Sequence, residues 1–326
     1  MRPGLPARHA EWLHARRRTL CAATLALPAR WLHAAGPPVR RVGVVWTGTG
    51  QSGYRDALLA RLQRAGVQTV VHSASAHELV RAAADAVAAQ PALIVAIGTP
   101  AAVRVLAQRP SMPVIFAVAG DPVAVGLVAS LARPGRDVTG VFSLAVQTSG
   151  KRVALLADAV PKTTPIGLLW SESATVPQEL EDARRAVAAL HARADARSVL
   201  SADDVVGAFA GFRRLGVRAA SILTAPPLLD HLALIAAQAR EHGVATVSGY
   251  GGYAEAGGLM AYATDVEETF DIVASMVHRV LAGTRAQDLP VQQARAFVLT
   301  LNLATAAALR LTLPPWFIAL AQKVIR

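Results

Sequence analysis

The stretch Leu93-Ile94-Val95-Ala96-Ile97-Gly98-Thr99-Pro100-Ala101-Ala102 reads as a strand that turns directly into a helix. Five consecutive apolar residues, two of them isoleucine and one valine, suit a strand covered on both faces. Gly98-Thr99-Pro100 then supplies a turn residue, a hydroxyl and a proline suited to a first helical turn. The same unit recurs on either side. Upstream, Val42-Gly43-Val44-Val45-Trp46 is a first strand, followed by a helix from about Tyr54 to Arg64, a close at Ala65-Gly66 and a second strand over 67–71. A helix over 76–89 leads into the quoted strand, and downstream Val114 to Val118 ends at Gly120-Asp121-Pro122. Such alternation is the pattern of a parallel sheet with helices on both faces. Each turn after a strand then lies on the carboxyl edge, where open α/β sheets bind ligands.

The rhythm breaks at Ala132-Arg133-Pro134-Gly135-Arg136-Asp137-Val138-Thr139-Gly140 and then restarts. Strand 166–170, helix 178–192, a short strand near 196–200, helix 202–215, strand 219–224, helix 228–242 and strand 244–248 form a second set of units. Two such sets argue for two lobes, with a closed eight-unit barrel as the alternative. After Gly257-Gly258, residues 259–263 read as a connecting strand, followed by helix 267–282, strand 296–301 and two short helices separated by Pro314-Pro315. The expected fold class is therefore α/β, with two Rossmann-like lobes and parallel sheets. Residues 36–144 plus 266–288 make the first lobe, and 145–265 plus 289–326 the second. Three crossings are expected, near Ser143-Leu144-Ala145, Ala263-Thr264-Asp265-Val266 and Leu289-Pro290, since a clamp needs few, aligned hinges to guide its motion.

Composition narrows the function classes. With 326 residues, 53% apolar and 17% charged, the chain can bury one large core or two ordinary ones, which excludes general disorder. The net charge of +11 raises the question of nucleic acid, but residues 1–35 hold six arginines against the single acid Glu11. The remainder carries only +6, spread thinly and without interleaved aromatics, so no nucleic-acid partner is expected. His72, His77, His191, His231, His242 and His278 show no metal-ligand spacing, and Ser143 and Ser248 lack the context of a nucleophile elbow. Neither an enzyme activity nor a cofactor is expected.

Beyond periodicity, specific motifs stand in order: Gly98-Thr99-Pro100-Ala101-Ala102, Pro113 to Val123 with Gly120-Asp121-Pro122 inside it, Gly126 to Gly135, Val138-Thr139-Gly140 and Gly150-Lys151-Arg152. Glu255-Ala256-Gly257-Gly258-Leu259-Met260, Asp288-Leu289-Pro290-Val291, Asn302-Leu303 and Leu313-Pro314-Pro315 follow. Together they closely resemble the ABC-transporter substrate-binding family that includes tryptophan-binding members, over roughly residues 41–326. The resemblance implies a type I-like periplasmic-binding-protein clamp, a small-molecule ligand between the lobes, a membrane permease of an ABC importer as partner, and a monomer. Two departures touch the cleft walls and so bear on the ligand more than on the fold. Ala65-Gly66-Val67 runs straight into the second strand, and Trp170-Ser171-Glu172 stands where the family commonly has Trp-Asn-Pro. The rival from another class is an enzyme on the same scaffold acting on a sugar phosphate or nucleotide sugar.

Candidate ligand residues follow from position. Gly98 and Thr99 place N–H groups and a hydroxyl at a helix start, which favours a carboxylate, while the plain alternative is that Thr99 only caps the helix. Asp121 either accepts a ligand ammonium or orders its turn. Thr47, Gly48 and Ser52 follow the first strand; Thr47-Gly48-Thr49-Gly50-Gln51-Ser52 lacks the Gly-Lys-Ser/Thr ending of a phosphate loop. Ser143 lies at the first crossing, Ser171 and Thr224 follow strands of the second lobe, and Tyr250 and Trp46 are candidates for stacking, Trp46 also for packing.

The N-terminus reads as an export signal: Arg16-Arg17-Arg18, an apolar run from Leu20 to Ala29, then small residues at Ala34-Ala35-Gly36. The single cysteine, Cys21, lies inside that segment, and Arg18-Thr19-Leu20 before it lacks the small residue expected ahead of a lipidated cysteine. A soluble periplasmic chain is expected after cleavage between roughly Ala29 and Gly36. Intact-mass measurement on periplasmic extract checks this, and a full-length cytoplasmic product would refute it.

Overall fold

Short apolar runs bounded by glycine and proline become strands, and the alanine-rich runs between them become helices. The computed structural model describes residues 40–48, 52–75, 78–160, 165–172 and 176–326. The first series is β1 (Arg41–Thr47), α1 (Ser52–Arg64), β2 (Gln68–Ala74), α2 (Leu79–Ala88), β3 (Leu93–Ile97), α3 (Thr99–Ala107), β4 (Val114–Ala119) and β5 (Val138–Ser143). The second is α4 (Ser149–Ala159), β6 (Ile166–Trp170), α5 (Val176–Ala189), β7 (Ala194–Ser198), α6 (Ala202–Arg214), β8 (Ala219–Ile222), α7 (Pro226–Leu229), α8 (Leu232–Glu241), β9 (Ala245–Ser248) and β10 (Met260–Thr264). The chain ends with α9 (Val266–Leu281), β11 (Gln292–Ala294), β12 (Phe297–Asn302), α10 (Leu303–Ala308), α11 (Pro315–Ala319) and β13 (Lys323–Ile325).

Two sheets form, ordered β11-β5-β4-β3-β1-β2 and β13-β12-β10-β9-β8-β6-β7. This replaces the barrel alternative: the strands divide between two open sheets and do not close on one another. Among the described residues every pairing is parallel except β10 with β12. In the first lobe successive residues of a central strand feed opposite cores. Ile94 and Ala96 pack with α2 and α3, whereas Leu93 and Val95 pack with α1 and α9. That alternation covers both faces and explains the unbroken apolar runs.

Helix α9 returns the chain to the first lobe. Phe270, Val273, Met276, Val277 and Val280 form its buried stripe against Val42, Val44, Leu58 and Leu62. Each contributes roughly 1.5–3 kcal/mol relative to exposure. Its outer side is tied to α1 by Arg61, whose Nε donates to Asp271 at 2.6 Å and whose Nη2 donates to Glu267.

The chain passes between the sheets after β5, between β10 and α9, and between β11 and β12. The third passage corrects the expectation at Leu289-Pro290. Leu289 and Val291 are buried in the first lobe, and Gln292–Ala294 pair in parallel with Val141–Ser143, so the passage is at Arg295-Ala296. The second and third passages are joined side by side. Asp265 N–H donates to the Ala296 carbonyl at 2.9 Å, and Glu268 accepts from the N–H groups of Arg295 at 3.0 Å and Ala296 at 2.9 Å.

Gly140 of β5 shows why one quoted motif needs a glycine: a Cβ there would overlap the Phe116 carbonyl oxygen and sit 2.6 Å from ring atom Cγ of Phe116. Gly140→Ala should cost about 1–3 kcal/mol. A urea titration would show this as a lower midpoint at unchanged slope.

Candidate functional site

In each lobe the strand order begins 2-1-3-4, so the crevice where the order reverses lies between the ends of the first and third strands. In the first lobe that point holds Thr47, Gly98 and Thr99. The Thr47 hydroxyl accepts from the Ala101 N–H at 3.2 Å and so caps α3 from a neighbouring strand. Gly98 is the residue at the helix boundary, with φ 94°. A Cβ on it would lie 2.6 Å from Thr47 Oγ1. Thr99 donates its hydroxyl to the Ala119 carbonyl at 3.1 Å, which leaves its oxygen as an acceptor.

In the second lobe the reversal lies between β6 and β8, and Thr224 follows β8 there. Its N–H donates to both Glu179 oxygens at 3.0 Å and its hydroxyl to Glu179 Oε2 at 2.6 Å. Glu179 is paired with Arg152, and both side chains are fully buried. Arg152 Nη1 also donates to the Ala145 carbonyl at 3.0 Å and to Thr148 Oγ1 at 2.8 Å. Burial pushes the Glu179 carboxyl up and the Arg152 guanidinium down, each opposed by the other's charge. Burial also holds the Tyr250 phenol well above its usual value.

Between the two edges lies a cavity of about 440 Å³. Trp46, Ile97, Val103, Phe142, Leu229 and Phe270 give it apolar walls, and Thr47, Thr99, Ser143, Thr224, Tyr250, Thr264 and Thr269 supply hydroxyls. Exposed Arg104 stands on the lining, and no carboxylate does among the described residues. The Thr264 hydroxyl is buried with no hydrogen-bond partner among the described residues. The lobes touch where the Tyr54 ring meets the backbone of Gly251 and Gly252, and where Gly48 faces Leu229 and Asp230. Burial, then Glu255 and Glu267, raises the Tyr54 phenol.

Of the expected site residues, Thr47, Gly98, Thr99, Ser143, Thr224 and Tyr250 line this cavity, as does Trp46. Trp46 also packs, its ring centroid 6.1 Å from that of Phe270. Three of the expected residues lie off this lining. Asp121 is exposed, off the lining, and accepts from the Val123 N–H at 2.8 Å, so it orders its own turn. Ser171 is fully buried off the lining, its hydroxyl unpartnered among the described residues. Gly48 is also off the lining; its N–H donates to the Ala74 carbonyl at 2.8 Å, and it serves close approach of the lobes. Ser52 opens α1, its side chain lying outside the described part, as do Thr49-Gly50-Gln51. Sequence reasoning missed Tyr54, Phe142, Thr269 and Phe270; Thr264 was visible only as part of a crossing.

The model of the ABC transporter substrate-binding protein family matches residues 49–325. The chain belongs to this family. A conserved domain protein from Vibrio cholerae O1 biovar eltor is similar in structure, with TM-score 0.78, 22% identity, and coverage of 88% of this chain and 99% of that one. An ABC domain from Streptococcus pneumonia in complex with L-Trp gives TM-score 0.76 and 21% identity with the same coverage. GanP, a glucose-galactose binding protein from Geobacillus stearothermophilus, gives 0.59 and 14%, covering 81% of this chain and 97% of that one. At these identities the likeness is one of fold. A search of curated proteins finds no match.

The substrate-binding family assigns this chain a solute-binding role and the α/β clamp fold. Among the described residues no cluster of three or more His, Cys, Asp or Glu is placed to hold a metal, and no helix is long and apolar enough to cross a membrane. Thr47→Val should remove the α3 cap and cost about 1 kcal/mol of stability. Urea unfolding reads this directly, and an unchanged midpoint would show that the hydroxyl carries no capping energy.

Proposed function

We propose that this chain is the exported receptor of an ABC importer and closes over a small carboxylate-bearing solute with an apolar body, such as an amino acid, for delivery to a membrane permease. The observation that carries the reading is the cavity between two sheet edges, apolar in its walls and supplied with hydroxyls at a helix start. About 440 Å³ falls within the size range of pockets for small organic ligands. The carboxylate is assigned to the N–H and hydroxyl of Thr99 at the start of α3, where the helix dipole favours negative charge, since Pro100 has no N–H and those of Ala101 and Ala102 donate to Thr47 and Gly98. The apolar body lies against Trp46, Phe142, Tyr250 and Phe270. Binding of L-Trp by the pneumococcal relative agrees with an amino acid of this kind.

Closure follows from contacts made by both lobes. Such contacts are complete only in the closed state, so ligand shifts the population toward it. A thermal-shift screen of amino and other organic acids on refolded, ligand-free protein tests the reading. A binding acid at one hundred times its Kd should stabilise by about 2.7 kcal/mol. Thr99→Ala should lose most of that gain while leaving the unliganded melting point almost unchanged. Survival of the gain in the variant, or a response to uncharged sugars alone, would overturn the carboxylate anchor.

A further inference from the structure

We propose that the buried Arg152–Glu179 pair positions the ligand-facing wall of the second lobe, locking Thr224 and Gly249 to the chain where it leaves the first crossing. The proposal rests on the cleft being the ligand site. Strand β8 ends its ladder early: the Leu223 N–H still donates to the Leu169 carbonyl, and at Thr224 the Glu179 carboxylate takes the backbone N–H instead. Glu179 lies in the first turn of α5, where the helix dipole favours its charge. The same carboxylate accepts the Thr224 hydroxyl, so both polar groups of this wall residue have one owner.

Arg152 supplies the counter-charge and extends the frame. Its Nη2 meets Glu179, while its Nη1 reaches Ala145 and Thr148 beside the first crossing. Gly249, at the end of β9, packs on it closely enough that a Cβ would lie 2.9 Å from Nη1. Ala145, Thr224 and Gly249 all line the cavity, so the pair meets three separated pieces of wall: Ala145 by a hydrogen bond from Arg152, Thr224 through Glu179, and Gly249 by close packing on Arg152. Stability gives little reason for such an arrangement, because a buried ion pair is commonly no more stabilising than apolar residues of similar volume. Geometry does: a rigid fork of donors fixes directions that an apolar contact leaves free.

Arg152 and Glu179 are therefore positioning residues, and the test separates wall order from global stability. The double variant Arg152→Met/Glu179→Leu should melt at or near the parent temperature. In the unliganded protein its Thr224 N–H should exchange with solvent at least about tenfold faster than in the parent, with the Leu223 N–H little changed. Arg152→Lys, which keeps the charge without the fork, should fall between the two. A folded double variant with parental exchange at Thr224 would overturn the proposal. Should the double variant fail to fold, Arg152→Lys carries the readout by itself, and parental exchange at Thr224 in that folded variant overturns the proposal equally. No ligand enters these measurements. Faster exchange at Thr224 in a protein that binds no carboxylate would uphold the positioning role and sink the ligand reading, and the converse result would do the reverse.

Discussion

In a parallel sheet every strand points the same way, so the loops that follow the strands gather on one edge. That constraint organises this molecule. Helix starts with unpaired N–H groups collect there, and the crevice opens where the strand order reverses. Three passages of chain set two such edges on either side of one cavity. The cavity is therefore made of strand ends: Trp46 and Thr47, Ile97 and Gly98, Ala117 to Ala119 and Val141 to Ser143 on one side, with Thr224, Gly249 and Thr264 on the other.

The two edges solve the problem of unpaired backbone differently. In the first lobe a neutral hydroxyl from the adjacent strand, Thr47, satisfies the start of α3, and Gly98 is required because a side chain there would strike it. In the second lobe a buried carboxylate satisfies the strand end, and its charge requires a buried guanidinium beneath it. The first edge therefore brings the start of α3 to the cavity with its Ala101 N–H already taken, leaving Thr99 as the polar residue on the lining. The second presents hydroxyls backed by a pair whose charges neutralise one another.

Few covalent passages join the lobes, and two of them are hydrogen-bonded together at Asp265 and Ala296. Glu268, accepting from the N–H groups of Arg295 and Ala296, adds to that tie between the second passage and the third. The lobes also meet at the Tyr54 ring on the backbone of Gly251 and Gly252, and at Gly48 near Leu229 and Asp230.

The alternation of strands and helices, the division into two lobes and the motifs of the family were legible in the sequence because they depend on local apolar period, turn residues and residue order. That Gly98, Thr99 and Thr224 follow strands was legible for the same reason, since the end of a strand is a position along the chain. The limits appeared where a residue's role depends on what the fold brings beside it. Gln292-Gln293-Ala294 has no strand signature and pairs only because Val141–Ser143 lies alongside. Asp121, at a strand end like the others, turned inward to its own loop through Val123. Phe270 reached the cavity because α9 came back to the first lobe, and Arg152 met Glu179 across 27 positions of chain. The sequence by itself determined which segments are strands and helices and which turns follow them. Only the tertiary structure decided which side chains face the cavity, because burial and partners arise from contacts between distant segments that no local pattern encodes.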